Sequence, residues 1–305
     1  MAVVKETPSV AIIILNWNGY AHTSACLKSL QAAKMEDVEV ILVDNASEDG
    51  AVAKLKSEFP QHTYLQNEQN LGFTGGNNVG IKHALEREIP YIMLLNNDTE
   101  VVPGFLGHLL HELKSHARLA AVQPLMYYLH DKHKVWNAGG KFNPWTGGST
   151  SITQKKNHSL PYPTDWITGC CILVRSEVIR EVGLLNDHYF AYFEDVDWSL
   201  RMRERGHGLA VAPAAVIYHE AGASSKAKKK GKEGVLSPKV HYLNTRNQLF
   251  QLRNHVDFPH RLVAWPVQLV KLGLFGVYFL VRRRREKFRA LLKGLRDGLK
   301  LECKS

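Results

Sequence analysis

The pattern of apolar and polar positions predicts alternating strands and helices in the first hundred residues. Four short apolar runs have the length and composition of strands: residues 10–15, 38–43, 63–66 and 91–95. Three intervening segments have the spacing of helices: residues 23–33, 51–59 and 77–86. Such alternation is typical of β-α-β units, in which helical crossovers join parallel strands. We therefore predict an α/β fold whose first hundred residues form an open, parallel sheet of the nucleotide-binding type.

Similar patterns continue beyond residue 100. Helices are predicted at residues 105–119, 176–182 and 198–204. Strands are predicted at residues 121–128, 165–175 and 210–218, with a glycine-rich hairpin or loop at 137–148. Residues 221–238 are rich in Gly, Ser and Lys, which predicts a mobile loop. Because this loop begins two residues after His219, it could close over whatever His219 holds.

Polar side chains directly follow three of the predicted strands. They are Asn16, Asn18, Asp44 and the triplet Asn96, Asn97 and Asp98. Open α/β sheets bind ligands at the carboxyl ends of their strands, which predicts a ligand site at these residues. Turn and helix-cap chemistry is the alternative explanation, since Asn and Asp are common at such junctions.

A glycine-rich segment precedes the third predicted helix. Residues 70–80 contain four glycines and would open that helix with a turn whose backbone N–H groups can approach a diphosphate. The first β-α turn, by contrast, has no GxGxxG motif. A dehydrogenase that uses a dinucleotide is therefore disfavoured.

Two acidic sites point to metal-assisted chemistry. Asp98 could hold a divalent cation that neutralises a departing phosphate, although a helix cap would also explain this residue. The acidic cluster at 194–197 follows an aromatic stretch, and capping of the helix predicted at 198–204 is its alternative explanation. Because both acidic sites follow apolar segments, together they favour an enzyme over a passive binding protein.

In this order, the motifs resemble the family 2 glycosyltransferases with the GT-A fold, most closely their bacterial rhamnosyltransferase-like branch. The resemblance covers roughly residues 9–253. It rests on seven segments: residues 16–19, 43–47, 70–80, 96–98, 169–175, 193–197 and 246–247. It implies a GT-A catalytic domain at residues 1–255, with a nucleotide-binding half at 1–100 and an acceptor half at 101–255.

The resemblance also implies roles for individual residues. A nucleotide-sugar donor would be bound by Asn16, Asn18, Asp44, Asn70, Gly76, Asn77 and Asn97. Asp98 and His219 would bind Mg²⁺ or Mn²⁺, and Asn96 at the first position of the family's DxD-type motif leaves Asp98 as the main charged ligand. A structural role at a strand end is the alternative for His219. Asp195, or its neighbour Glu194, would take a proton from the acceptor hydroxyl in a direct displacement that inverts the anomeric configuration.

The C-terminal quarter is strongly basic. Residues 226–305 carry 20 Lys and Arg against 5 Asp and Glu, whereas the rest of the chain carries 19 against 24. Within the tail at 256–305, apolar and basic residues alternate at helical spacing, which predicts an amphipathic helix on an anionic membrane surface. The apolar stretch at 262–281 is uninterrupted only over its last ten residues, too few for a transmembrane helix. Helices that pack on the catalytic domain or on a second subunit are the alternative. Nucleic-acid binding is not expected, because no recognition motif accompanies the charge.

These observations lead to one predicted function and two alternatives. Four cysteines without a CxxC pair, and no recognisable secretion signal, predict reduced thiols and a cytoplasmic protein held peripherally at the inner face of a bacterial cell membrane. We expect an inverting transfer of a sugar, first of all rhamnose from dTDP-rhamnose, to a cell-surface glycan or lipid-linked acceptor. A homo-oligomer is possible. The alternatives are a nucleotidyltransferase acting on sugar phosphates and a catalytically silent membrane-surface protein of the same fold.

Overall fold

The chain forms a central mixed sheet with helices on both faces. The computed structural model describes residues 7–156, 159–221, 226–231 and 234–301, with the backbone alone at 226–231 and 234–235. The strands are β1 (Val10–Asn16), β2 (Val38–Asp44), β3 (Thr63–Gln66), β4 (Tyr91–Asn96), β5 (Thr99–Val101), β6 (Leu119–Tyr128), β7 (Val135–Asn137), β8 (Gly140–Asn143), β9 (Gly148–Ser151), β10 (Tyr162–Pro163), β11 (Cys171–Arg175), β12 (Gly208–His219), β13 (Lys226–Gly231) and β14 (Gly234–Leu236). The helices are α1 (Tyr20–Ala32), α2 (Ala51–Glu58), α3 (Gly72–Glu86), α4 (Phe105–Ser115), α5 (Ser176–Val182), α6 (Glu194–Glu204), α7 (Pro238–His255), α8 (Arg261–Val281) and α9 (Arg285–Lys300).

The sheet contains the predicted parallel unit. Its strands follow the order β10, β12, β6, β11, β4, β1, β2, β3, and β5 and β7 pair with β12 and β6. Strands β3, β2, β1 and β4 run parallel to one another, whereas β11 is antiparallel to its neighbours β4 and β6. The chain adds β2 and β3 on one side of β1 and then places β4 on the other side. The carboxyl ends of β1 and β4 therefore flank the crevice in which such sheets bind ligands.

The apolar strands are buried on both faces. Ile12 and Ile14 of β1 lie in one core with Leu27 of α1, and Ile13 lies in the other core with Ile81 of α3. Successive side chains of a strand point to opposite faces. Burial of both faces explains why β1 is continuously apolar rather than alternating.

The third helix was predicted to begin at residue 77, but it begins at Gly72. Gly72 has a φ of +75°, and the N–H groups of Phe73 and Thr74 donate to the carbonyl oxygen of Phe190. This contact with a segment far away in the chain fixes the first helical turn. The glycine-rich segment is therefore part of α3 and not the predicted turn.

Two further predicted boundaries are wrong. The helix expected at 198–204 begins at Glu194, in keeping with the preference of acidic residues for a first helical turn. The strand expected at 165–175 is reduced to the five residues of β11. The N–H of Gly169 donates to the side chain of Asp195 instead of to a neighbouring strand.

Of three other predicted segments, two differ from the structure in detail and one is confirmed. The helix predicted at 105–119 ends at Ser115, because β6 already begins at Leu119. The glycine-rich segment at 137–148 contains the predicted hairpin, formed by β8 and β9. The loop predicted to be mobile at 221–238 includes a second hairpin, formed by β13 and β14, while residues 222–225 and 232–233 lie outside the described residues.

The C-terminal helices correct two expectations. The apolar stretch was expected to be too short for a transmembrane helix, yet α8 is the one helix in the described part of the chain that is long and apolar enough to cross a membrane. Gln268 and Lys271 interrupt the apolar sequence but not the helix. α9 packs closely on α7, where a Cβ on Gly294 would lie 2.7 Å from the carbonyl oxygen of Tyr242. Leu291 of α9 is buried. One side of α9 is thus covered by protein, as in the alternative of helices that pack on the catalytic domain.

Candidate active site

A buried network of polar side chains joins the carboxyl ends of β1 and β2. Asn16 donates to Asp44 Oδ1 at 2.8 Å and to Ser47 Oγ at 3.1 Å. Asn16 Oδ1 accepts the hydroxyl of Thr23 at 2.7 Å, and Asp44 also accepts the hydroxyl and the N–H of Ser47. Asn16 is 0% exposed. Asn16 is therefore placed to position Asp44, whose carboxylate has one of about four acceptor sites left for a ligand.

Two of the predicted donor-binding residues lie nearer to solvent. Asn18 is exposed, its N–H donates to Ser47 Oγ, and its Oδ1 accepts the N–H of Glu48, both at 2.8 Å. Asn97 is partly buried and donates to Thr23 Oγ1 at 2.9 Å, which extends the network to the end of β4. Asn18 and Asn97 therefore stand at the mouth of the crevice between β1 and β4, where a ligand can reach them.

Asn45 has a structural role that was not predicted. Its Nδ2 donates to Asn70 Oδ1 and to the carbonyl oxygen of Gly72, both at 3.0 Å. Its Oδ1 accepts the Nδ2 of Asn67 and the N–H of Leu71, also at 3.0 Å. Asn45 thereby fixes Asn70 and the beginning of α3 to the end of β2. Its position directly after a strand, beside Asp44, was the signal that could have identified it.

The beginning of α3 does not fit the predicted diphosphate cradle. Its first N–H groups donate to Asn70 Oδ1 and to the carbonyl oxygen of Phe190. Gly76 lies against β1, where a Cβ would overlap with the side chain of Leu15. Asn77 is 2% exposed and donates to the carbonyl oxygen one turn earlier. Gly76 therefore allows α3 to lie close to β1, and the Asn77 side chain is bonded within its own helix.

Asp98 and His219 meet at the ends of β4 and β12. Asp98 Oδ1 lies 3.1 Å from His219 Nε2, and His219 pairs with Thr99 across β5 and β12. Because strand β5 follows Asp98, the helix-cap explanation for this residue is removed. Burial acts to raise the pKa of Asp98, but the hydrogen bond and charge of His219 outweigh it and lower that pKa. The Asp98 carboxyl is therefore ionised.

This pair fits a divalent cation that is shared with a substrate. Carboxylate and imidazole are both ligands of such ions, and Mg²⁺ commonly uses one or two carboxylates together with substrate phosphates. Because the ionised Asp98 carboxylate can only accept a hydrogen bond, His219 Nε2 carries a hydrogen in this contact, and His219 Nδ1 is buried without a hydrogen-bond partner. Among the described residues, no group of three or more His, Cys, Asp and Glu side chains is arranged to hold a metal. The pair therefore suits a cation whose other ligands are diphosphate and water, and not a closed structural site.

Asp195 and Glu194 form the first turn of α6 but have different surroundings. Asp195 is partly exposed and accepts the N–H of Gly169 at 3.0 Å and that of Val196 at 2.8 Å. Glu194 is 6% exposed, and its Oε2 has no hydrogen-bond partner. Burial raises the pKa of Asp195, and burial together with the charge of Asp195 raises the pKa of Glu194 well above its usual range. Burial therefore favours the protonated form of Glu194 more strongly than that of Asp195, and Asp195 is the carboxylate that a ligand can reach.

The beginning of β11 brings the two acidic sites to the same sheet edge. The N–H of Asn96, at the end of β4, donates to the carbonyl oxygen of Cys170 at 2.8 Å. The preceding residue, Gly169, donates to Asp195. Burial raises the pKa of the Cys170 thiol well above its usual range, and the charges of Asp98 and Asp195 both add to this increase. Asp98 and Asp195 therefore flank one strand end, on either side of Cys170.

The segment that leads into α6 has an unfavourable backbone conformation. Phe190, Tyr192 and Phe193 have φ angles of 62°, 73° and 72°. For residues other than glycine, this left-handed region costs roughly 1–2 kcal/mol each. The conformation therefore persists only because contacts from other segments stabilise it.

Those contacts come from α7. Asn247 is fully buried, and its Nδ2 lies 3.0 Å from the carbonyl oxygen of Tyr189 and 2.8 Å from those of Ala191 and Tyr192. The guanidinium of Arg246 donates to the carbonyl oxygen of Tyr189 at 2.8 Å. Both residues belong to a motif of the family resemblance, but no role was predicted for them. They hold the segment that directly precedes Glu194 and Asp195.

A second connection between α6 and α7 is ionic. Asp197 Oδ1 lies 2.8 Å from His255 Nε2, and Asp197 Oδ2 accepts Nε of Arg201 at 2.9 Å. His255 Nδ1 lies 2.7 Å from Glu204 Oε1. Burial acts to lower the pKa of His255, but the bonds and charges of Asp197 and Glu204 raise it to about 9. His255 is therefore cationic at neutral pH and holds α6 against α7.

The matching family model and two similar proteins are all glycosyltransferases. A family model described as glycosyl transferase family 2 matches residues 11–183, which include Asp98 and end before Asp195 and His219. N-acetylglucosaminyl-diphospho-decaprenol L-rhamnosyltransferase of Mycobacterium tuberculosis is 24% identical over 314 residues, covering 94% of this chain and 99% of that protein. The dTDP-rhamnosyl transferase RfbF of Shigella flexneri is 24% identical over 236 residues, covering 75% of this chain and 77% of that protein.

The fold is similar to that of a solved glycosyltransferase. The mannosyltransferase PcManGT of Pyrobaculum calidifontis, in complex with GDP-Man and Mn²⁺, superposes with a TM-score of 0.58 at 13% sequence identity. The superposition covers 97% of this chain and 88% of that one. At this identity the likeness concerns the fold, a mixed α/β open sheet of the GT-A type, as the sequence predicted.

Proposed function

Because the chain belongs to glycosyl transferase family 2, we propose that it is an inverting, metal-dependent transferase that moves a sugar from a nucleoside diphosphate donor to a glycan or lipid-linked acceptor. The observation that carries this proposal is the meeting of three groups at one sheet edge. Asp98, just after β4, contacts His219 at the end of β12. Asp195 accepts the N–H of Gly169, two residues before β11, the strand that β4 pairs with.

Asp195 is the general base of the proposed reaction. It takes the proton of an acceptor hydroxyl while the hydroxyl oxygen forms a bond to the anomeric carbon of the donor sugar. The bond from that carbon to the diphosphate breaks on the opposite face, so the configuration at the carbon inverts. A carboxylate whose pKa is raised by burial is a stronger base than an exposed one, and positioned bases of this kind contribute about 10²–10⁴-fold to the rate.

Asp98 and His219 would hold the divalent cation, Mg²⁺ or Mn²⁺. When bound, such an ion neutralises the charge that develops on the departing diphosphate. The ionised state of Asp98 supports this assignment, because a metal ligand must be deprotonated. Asn18, Asn97 and Asp44 would contact the nucleotide from the ends of β1, β4 and β2, with Asn16 and Asn70 held in the networks around them.

The donor and acceptor classes are proposed from the named relatives. Two relatives that match most of this chain are named as rhamnosyltransferases, one of them for dTDP-rhamnose. The name of the mycobacterial relative contains a lipid-linked acceptor, a diphospho-decaprenol. We therefore propose dTDP-rhamnose as the donor and a polyprenyl-diphosphate-linked glycan as the acceptor, used at the inner face of a bacterial cell membrane.

A thermal-shift panel tests donor and metal together. Melting temperatures would be measured with dTDP, UDP and GDP sugars, with and without Mn²⁺, because a ligand that binds only the folded protein raises its apparent stability. We expect an increase with one nucleotide family that depends on Mn²⁺ and is lost in Asp98→Asn. The matched control is Glu177→Gln, on the exposed surface of α5. No increase with any donor, or an equal increase in Asp98→Asn, would contradict the proposal.

A further inference from the structure

The outer surface of α8 is apolar apart from the exposed Arg261 at its start and the exposed Lys271 near its middle. The exposed residues are Leu262, Val263, Val267, Leu269, Val270, Leu274, Phe275, Val277, Tyr278, Leu280 and Val281. The helix rises about 1.5 Å per residue, so its 21 residues extend over roughly 30 Å. Contiguous exposed apolar patches of this size on a folded protein mark interaction surfaces.

The opposite side of α8 is packed on the catalytic domain. Its buried residues form a narrow stripe: Ala264, Gln268, Leu272, Gly276 and Phe279. Gln268 donates to the carbonyl oxygen of Thr146, in the β8–β9 hairpin, at 2.7 Å. Ala264 and Leu272 share an apolar core with Leu249 and Leu252 of α7. α8 therefore lies along the domain with one side covered, and does not project away from it.

Aromatic and basic residues lie at the two ends of this apolar surface. Trp145, at the tip of the β8–β9 hairpin, is exposed and packs edge-on against His260, with 4.4 Å between ring centres, just before α8 begins. Phe258, in the turn between α7 and α8, is 77% exposed. Directly after α8 come four arginines at 282–285. Exposed aromatic rings and clustered basic residues are the groups that anchor proteins at the interface of an anionic bilayer.

We propose that the outer side of α8, with Trp145 and Phe258 at one end and the arginines 282–285 at the other, docks on an anionic lipid bilayer. The helix lies in the plane of the interface with its outer side among the acyl chains and the arginines at the phosphate groups. The charge pattern favours anionic lipid as the partner, because the four arginines form a positive cluster at one end of the apolar surface, where lipid phosphate groups can meet them. The inference deepens the proposed function, on which it rests for a lipid-linked acceptor.

The packing of α8 and α9 assigns them different roles. α9 was predicted to be the helix that lies on the membrane, yet Leu291 is buried and Gly294 and Gly298 are in close contact with α7. Four basic residues of α9, Arg289, Lys293, Arg296 and Lys300, are exposed, as are Leu292 and Leu299. α8 thus supplies most of the apolar contact, and α9 adds positive charge near it.

Vesicle co-sedimentation of the full chain tests the proposal. The vesicles contain phosphatidylcholine with or without phosphatidylglycerol, and bound protein is measured for wild type, Val270→Glu/Leu274→Glu and a variant with the four arginines at 282–285 changed to glutamine. The matched control is Leu160→Glu, an equally exposed leucine outside α8. We expect at least tenfold weaker binding for both test variants, since each basic residue near an anionic surface contributes roughly a fivefold factor, and no change for the control.

Four results would overturn the proposal. Three of them are equal binding of the α8 variant and wild type, binding that does not depend on phosphatidylglycerol, and a lipid-free dimer in light scattering that Val270→Glu/Leu274→Glu dissociates. Resistance to carbonate extraction would also contradict it, because that behaviour belongs to a spanning helix. The thermal shift caused by the sugar donor is measured on the same variants. Loss of vesicle binding with an intact donor shift supports the docking surface, whereas a missing donor shift in wild type refutes the proposed function alone.

Discussion

Replacing Asn247 by leucine tests whether α7 positions the proposed base. The Asn247 amide lies within 3.0 Å of three backbone carbonyl oxygens in the segment before α6, those of Tyr189, Ala191 and Tyr192. An amide nitrogen has two hydrogens, so the contacts amount to two full hydrogen bonds. Leucine has a similar volume but cannot donate, so buried carbonyl groups lose their partner.

The expected energy is large enough to change the local conformation. A buried polar group without a partner costs about 1–3 kcal/mol, so two such groups cost roughly 2–6 kcal/mol. The three residues with positive φ, Phe190, Tyr192 and Phe193, already require about 3–6 kcal/mol, at 1–2 kcal/mol each. Since the two amounts are similar, the variant should relax this segment instead of retaining it under strain. Asp195, which follows two residues after Phe193, should then lose its fixed position.

The assay compares steady-state kinetics with donor binding. We expect kcat of Asn247→Leu to fall by at least tenfold, while the donor-induced thermal shift stays within twofold of wild type, because the residues proposed to bind donor and metal lie on other segments. Asn244→Leu is the matched control, since Asn244 is on the same helix and donates only to Val240, one turn earlier. A kcat of Asn247→Leu within twofold of wild type, or an equal loss in Asn244→Leu, would refute the positioning role.

Three further predictions concern stability and pH. The pKa of His255 is raised from 6.5 to about 9, so the His255–Asp197 contact stabilises the fold fully below pH 6.5 and is lost as the pH rises through about 9. His255→Asn should therefore lower the free energy of unfolding at pH 7 by on the order of 3 kcal/mol. In urea titrations it should also remove much of the difference in that free energy between pH 7 and pH 10. An unchanged pH dependence would show that the charge of His255 does not stabilise the fold. Gly72→Ala should destabilise the protein by more than the 1–2 kcal/mol that a left-handed backbone costs, because a Cβ would overlap with Phe190. A melting temperature like that of wild type would contradict the close approach of Gly72 to Phe190. The acid limb of kcat/KM against pH should have an apparent pKa above the usual 3.8 of an aspartate, since burial raises the pKa of Asp195, and a limb at or below that value would exclude this residue as the base.

The strands and the polar residues at their ends could be predicted from the sequence because both signals are local. The apolar run Ala11–Ile14 predicts a buried strand, and the polar Asn16 predicts where that strand ends. Parallel pairing then places Asn16 beside Asp44. The family resemblance assigned Asp98 and His219 to one metal site. In the structure Asp98 Oδ1 and His219 Nε2 lie 3.1 Å apart, and their metal role stays a prediction.

The errors arose where distant segments determine local structure. α3 begins at Gly72 because Phe190 accepts its first N–H groups, a contact between residues more than a hundred positions apart that no pattern near Gly72 reveals. The segment before α6 depends in the same way on Asn247, over fifty positions away. α9 is a case in which a signal existed: Gly294 and Gly298, four residues apart, mark a helix side that another backbone can approach closely.

The central claim is tested most directly by the kinetics of Asp195→Asn. Release of nucleoside diphosphate and the anomeric configuration of the product would be followed by NMR, with dTDP-rhamnose as the first donor and Glu177→Gln as the control. The account predicts an inverted product from wild type, a kcat about 10²–10⁴-fold lower in Asp195→Asn and an unchanged donor-induced thermal shift. Transfer by Asp195→Asn at the wild-type rate, or a product with retained configuration, would contradict it.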